Sequence, residues 1–172
     1  MKHHITPRPR RMTRKNVMAL GSERHSILND CNGSLMLAAS RMGGRVDIVA
    51  APETLLVVNQ DMSFVISGSA LTSLKRDNLT YATAIGHYHL HAFDALQKPA
   101  ENRGQQMVVP YEIGEADGDL LLARYEAYWF AFGFLMPVGA FEEALASRGI
   151  DETALAFGVA PSLVNLRVMM AA

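Results

Sequence analysis

Apolar positions along the chain change their spacing several times, and each change marks an element. Residues 22–42 carry an approximately helical stripe in Ile27, Leu28, Leu35, Met36 and Ala39, opened by Ser22 as an N-cap and stopped by Gly43-Gly44, with Gly33 weakening the middle. Alternation follows in Val46-Asp47-Ile48-Val49, and residues 54–58 and 63–67 flank Asn59-Gln60-Asp61-Met62, so a β-hairpin is predicted there. Helical spacing returns over residues 80–91, where Ala82, Ile85 and Leu90 are apolar and His87 and His91 share a face at i, i+4. Residues 97–115 are polar with Pro and Gly and read as a loop. Residues 120–135, capped by Asp117 or Asp119, are apolar nearly all round, which predicts a buried central helix with Trp129 and its Phe neighbours in the core. Residues 140–148 form a further helix closed by Gly149, Asp151 caps residues 152–157, Gly158 ends that turn, and Pro161 opens a last helix to about Met170. The terminal pair has helix-turn-helix spacing, but Arg167 is the lone basic residue on its second helix, too little to read DNA.

The chemistry gathers on two of these helices. In zinc peptidases of the H-E-x-x-H type, two histidines four residues apart hold the metal and the glutamate is the general base. Here Gly86-His87-Tyr88 supplies the second histidine, while Thr83 and Ala84 stand where the first histidine and the glutamate would be. The stretch Thr80-Tyr81-Ala82-Thr83-Ala84-Ile85-Gly86-His87-Tyr88-His89-Leu90-His91 resembles the motif helix of the ImmA/IrrE-type metallopeptidases, R-F-T-x-A-H-E-x-G-H-Y-x-L-H, at Thr80, Ala82, Gly86, His87, Tyr88, Leu90 and His91. Their second block, E-A-x-x-F-A-x-x-L-L-M-P, is similar to Glu126-Ala127-Tyr128-Trp129-Phe130-Ala131-Phe132-Gly133-Phe134-Leu135-Met136-Pro137.

This resemblance covers roughly residues 45–170. It implies an α+β, zincin-like fold: a small antiparallel sheet, then a helical bundle around the motif helix. It places zinc ligands at the positions of Thr83, His87 and Glu126. A threonine hydroxyl is a poor zinc ligand, and Ala84 cannot take a proton from water, a loss worth ~10²–10⁴-fold where general-base assistance operates. The expectation is a pseudopeptidase without catalytic residues or cofactor, binding a protein partner such as a helix-turn-helix repressor of a phage or mobile element. Two alternatives stand beside it. A shifted zinc site of His87, His91 and Glu126 would make an active peptidase, with His89 on the other side of the helix. His87 otherwise reads as a buried histidine bonded to Glu126, and His91 as a helix-end or packing residue.

The third reading rests on charge. The net charge of −1 over 172 residues hides an asymmetry: residues 1–24 hold seven Lys/Arg against Glu23 alone, leaving nine against sixteen acids elsewhere. Residues 1–16 read as a basic, flexible arm ahead of a single domain over residues 17–172. Arg8, Arg10, Arg11, Arg14 and Lys15 offer a DNA contact, although no aromatic interleaves them as a stacking platform requires. Hydrophobic residues at 49% and charged ones at 19% suit a globular chain with a sizeable core. Cys31 is the lone cysteine, so no internal disulfide forms. No apolar run reaches the ~18 residues of a transmembrane helix and no secretory h-region is visible, so a cytoplasmic protein without membrane contact is expected.

Overall fold

Helix α5 (Gly118–Leu135) is the axis of the protein in a computed structural model that describes residues 4–72, 74–97, 100–114 and 117–171. Asp117 caps it through a bond from the Leu120 amide, 3.0 Å, and Pro137 follows its last turn. Helices α1 (Arg14–Asn29) and α3 (Leu74–His87) both pack against α5. The α1 crossing is unusually close. A Cβ on Gly21 would collide with the Phe130 carbonyl and the Phe134 amide, and one on Gly133 with the Met18 carbonyl. Reciprocal glycines let the two backbones touch. Gly133→Ala is therefore expected to cost about 2–3 kcal/mol, the upper end of overpacking penalties, as a lowered urea midpoint at unchanged m-value.

The fold is α+β. The expected antiparallel sheet is instead a mixed five-stranded one, in the order β1 (His4–Ile5), β5 (Gln106–Pro110), β3 (Thr54–Val58), β4 (Phe64–Ser69), β2 (Gly44–Val49). The hairpin β3–β4 is antiparallel with Leu56 opposite Ile66 and Val58 opposite Phe64. The outer pairs β2–β4 and β1–β5 are parallel. Leu55 and Leu56 are both buried although neighbours, because the β3–β5 register slips between Thr54 and Leu56. Helix α3 lies on β3 and β4 and carries Tyr81, Ala82 and Ile85 into the core.

Several expectations need correction. The helix read over residues 22–42 is two helices, α1 and α2 (Leu35–Arg41), broken where Asn32 and Gly33 both take positive φ. The loop read over residues 97–115 contains β5, with Met107 and Val109 buried against β3. The basic arm is not loose. His4 and Ile5 pair with β5, Pro7 is buried, and the chain enters α1 at the Thr13 cap. Residues 1–3 of that arm, and 98, 99 and 115 of the expected loop, lie outside the described residues. Two further helices complete the chain: α6 (Ala140–Ala156), bent at Gly149 where φ is 76°, and α7 (Pro161–Ala171). Arg167 of α7 faces inward rather than outward: its guanidinium reaches the Met136 carbonyl, pairs with Glu142 at 3.2 Å and lies 3.8 Å over the Phe141 ring. Among the described residues no single helix is long and apolar enough to cross a membrane.

Candidate functional site

The motif helix does not end as a regular α-helix. After His87 it loosens into a π turn, Tyr88–Ala92, and continues as α4 (Phe93–Leu96). Wide turns of this kind often sit at functional positions. Here the turn lies against α5 and brings three buried side chains into a row. His87 Nδ1 is 3.1 Å from His91 Nδ1, and His91 Nε2 is 3.1 Å from Glu126 Oε2. Each side chain is at most 1% exposed.

The hydrogen bonds order this row. The Glu126 carboxylate accepts from His91 Nε2–H. In a neutral His91 ring, Nδ1 is then the acceptor for His87 Nδ1–H. That leaves His87 Nε2 as a buried lone pair without a partner. Burial above all, with the nearby Arg124 charge adding to it, holds His87 well below its ordinary pKa, so the ring is neutral. Burial pushes the Glu126 pKa up, but bonds from His91 and from the backbone amides of Arg10 and Met12 outweigh it, and the carboxyl ends below its ordinary range. Those two amides lie 2.8 and 3.1 Å from the Glu126 oxygens. The N-terminal strap thus crosses the site and is anchored on Glu126.

His91 was expected at a helix end or in packing. It is instead the link between His87 and Glu126, because the π turn carries it inward. His89 faces away from the row, stacked on Phe130 with ring centroids 5.4 Å apart, and burial followed by the Arg24 charge lowers its pKa to about 4. Thr83 and Ala84 lie one turn before His87, both buried. The Thr83 hydroxyl donates to the Leu79 carbonyl of its own helix at 2.6 Å, and Ala84 is packed in the core.

Three donors that share one zinc must each turn one atom toward a common point at ~2.0–2.2 Å. His91 turns opposite ring nitrogens toward its two neighbours, so His87, His91 and Glu126 form a chain and do not converge on one ion. No group of three His, Cys, Asp or Glu side chains among the described residues is placed to hold a metal. As they stand, His87, His91 and Glu126 do not form the shifted site, and at the positions that the motif resemblance implies the Thr83 hydroxyl is bonded to its own helix.

The five cations of the arm fare differently. Arg10 pairs with Asp94 at 3.4 Å, Arg11 with Asp119 at 3.5 Å, and the Arg14 guanidinium donates to the Met170 carbonyl. Arg8 borders a cleft with His4, His91 and Asp94, and Lys15 is exposed on α1. Trp129 is only partly buried, whereas Phe130, Phe132 and Phe134 are core. Sequence reasoning passed over Arg124, one turn before Tyr128 on α5. Its guanidinium donates to the Pro110 carbonyl at 2.6 Å, and a lone cation in an otherwise apolar helix was the signal.

No family model matches this chain, and no curated protein matches it. Among solved structures, a Mycobacterium tuberculosis transcriptional regulator is similar at 19% identity and a TM-score of 0.41, over 86% of this chain and 51% of that one. This chain therefore spans about half the length of that neighbour. A likeness at this level carries no argument about function.

Proposed function

We propose that this chain is a non-cleaving relative of the ImmA/IrrE-type metallopeptidases that acts as a regulatory binding protein, with a protein partner such as a helix-turn-helix repressor. The observation that carries the reading is the strap. Residues 4–5 add to the sheet edge at β5, and the Arg10 and Met12 amides end on Glu126. These are backbone contacts, indifferent to side-chain identity, of the kind by which an extended peptide is taken up on a strand edge. The cleft holds an extended segment, and it is the protein's own. The loss of chemistry is supported by Thr83, whose hydroxyl is spent on Leu79, and by Ala84, which has no proton acceptor.

The test is binding and cleavage measured together. The full chain is mixed with a helix-turn-helix regulator encoded beside it, and the mixture is followed by calorimetry and by mass spectrometry of the regulator. The expected result is a complex with the regulator intact and faster amide exchange at Arg10 and Met12 as the strap gives way. Cleavage that stops on adding a chelator would establish the peptidase alternative instead. Absence of any complex with such regulators would remove the regulatory reading.

A further inference from the structure

A small cavity opens beside Thr83, one helical turn before His87. It measures about 150 Å³ and lies between the middle of α3, the end of β5 and α5. At ~30 Å³ per water it has room for about five waters, or one small organic ion. Leu55 and Leu79 form its apolar wall, and Thr80, Tyr111, Tyr128 and Arg124 its polar one. All four polar residues are partly exposed, so the cavity is open to solvent.

Arg124 is the unusual member. One guanidinium nitrogen bonds the Pro110 carbonyl, with the Tyr111 carbonyl at 3.5 Å, which fixes the plane of the group. Its Nε–H is buried and has no partner. No carboxylate pairs with Arg124 among the described residues. That Nε–H has no accessible surface, so the nitrogen a ligand can reach is Nη1, which makes no hydrogen bond to a described residue, and a guanidinium held in plane is the usual receptor for a carboxylate. The hydroxyls of Thr80, Tyr111 and Tyr128 make no hydrogen bond to described residues, so they remain available as donors. One cation, with no lysine or second arginine in the lining, balances a single negative charge. An apolar wall on the opposite side suits a short aliphatic stem.

We infer that the cavity beside Thr83 binds a small aliphatic monocarboxylate, with Arg124 as its charge partner and Tyr128 as a hydroxyl donor. The ligand is a short-chain acid, or the C-terminal carboxylate of a peptide. The site goes beyond the partner-binding reading and does not depend on it, because no residue of the strap borders it.

The probe is propionate, added to the full chain while the Arg124 Nε–H signal is followed by nitrogen–proton NMR, with Arg124→Lys assigning the signal. Saturation in the millimolar range is expected, with propionamide at least about tenfold weaker because it lacks the charge that a charge-assisted bond requires. Tyr128→Phe removes one hydroxyl and leaves the ring, and should weaken propionate by about tenfold. A tripeptide with a free terminus is compared with its C-terminal amide. Tighter binding of the free peptide than of propionate assigns the site to chain termini, and the reverse order to free acids. Equal responses to propionate and propionamide, or no movement of the Arg124 signal at saturating propionate, would overturn the proposal and leave a water-filled gap. Arg124→Lys losing its fold would not blur this result, because the comparison of acid with amide uses the unaltered chain.

Discussion

Glu126→Ala is expected to cost about 3–5 kcal/mol of stability and to release the N-terminal strap, since removing one member of a buried charged network leaves the others unpaired. Glu126 accepts from His91 and from the Arg10 and Met12 amides, so three donors lose their acceptor at once. The His91 ring stays buried and cannot turn to water. The two amides can, if residues 4–12 lift away. The expected signature is thus double: a lower denaturation midpoint, and fast hydrogen exchange at Arg10 and Met12 while the α5 amides stay protected. Glu126→Gln separates shape from charge. Its amide offers one acceptor oxygen and presents N–H groups where three donors already point, so about 1–3 kcal/mol should still be lost. If Glu126→Ala left both the midpoint and the two amides unchanged, the strap would be held by β1 pairing and the Arg10–Asp94 and Arg11–Asp119 ion pairs, not by Glu126.

Much of this arrangement was open to sequence reasoning, and the rest was hidden for physical reasons. The β3–β4 hairpin and α5 were legible because turn residues and an Asp117 cap bound them. The breaks at Gly149 and Gly158 were legible because glycine was needed at positive φ. Helix α1 was misplaced because its contact with α5 runs through Gly21, not through an apolar stripe, and a helix that packs by backbone approach shows little periodicity. Strand β5 was missed because five residues ending in Pro110 look like loop until β3 is beside them. At the site, Thr83, Ala84 and His87 could be placed on one helix from spacing alone. The inward turn of His91 could not, because a π turn has no sequence signature comparable to a cap. The strap was hidden deepest. A segment with little apolar content reads as unpacked, and its anchor is two backbone amides, which no side-chain pattern reveals.

The histidines also set how the fold responds to acid. His87 is held well below the ordinary histidine pKa by burial first and by the Arg124 charge in addition, and His89 is held at about 4 by burial and Arg24. In the unfolded chain both return to about 6.5. Between the two values the unfolded state binds protons that the folded state refuses. Stability is therefore constant above about pH 6.5 and falls as pH drops toward 4, by ~1.4 kcal/mol per pH unit for each histidine engaged. For His89 the loss levels off near pH 4, at on the order of 3 kcal/mol. His87 continues to lose below that. Glu126 adds a later stage of the same sign, since its lowered pKa contributes stability above the ordinary carboxylate range that disappears as pH falls through its folded value. Urea midpoints measured from pH 7.5 to pH 4.5 should show this slope, at unchanged m-value. His89→Phe keeps the stack on Phe130 and removes one titrating ring, together with its unpartnered Nε2. Its curve should be flatter than that of the unaltered chain below pH 6.5 and converge with no further change above it. Parallel curves would mean that His89 is protonated in the folded state and that burial does not govern the acid response. Because His87 and Glu126 belong to the row beneath the strap, the same acid range that weakens the fold should also lower the exchange protection factors at Arg10 and Met12, taken against the intrinsic rate at each pH, before global unfolding.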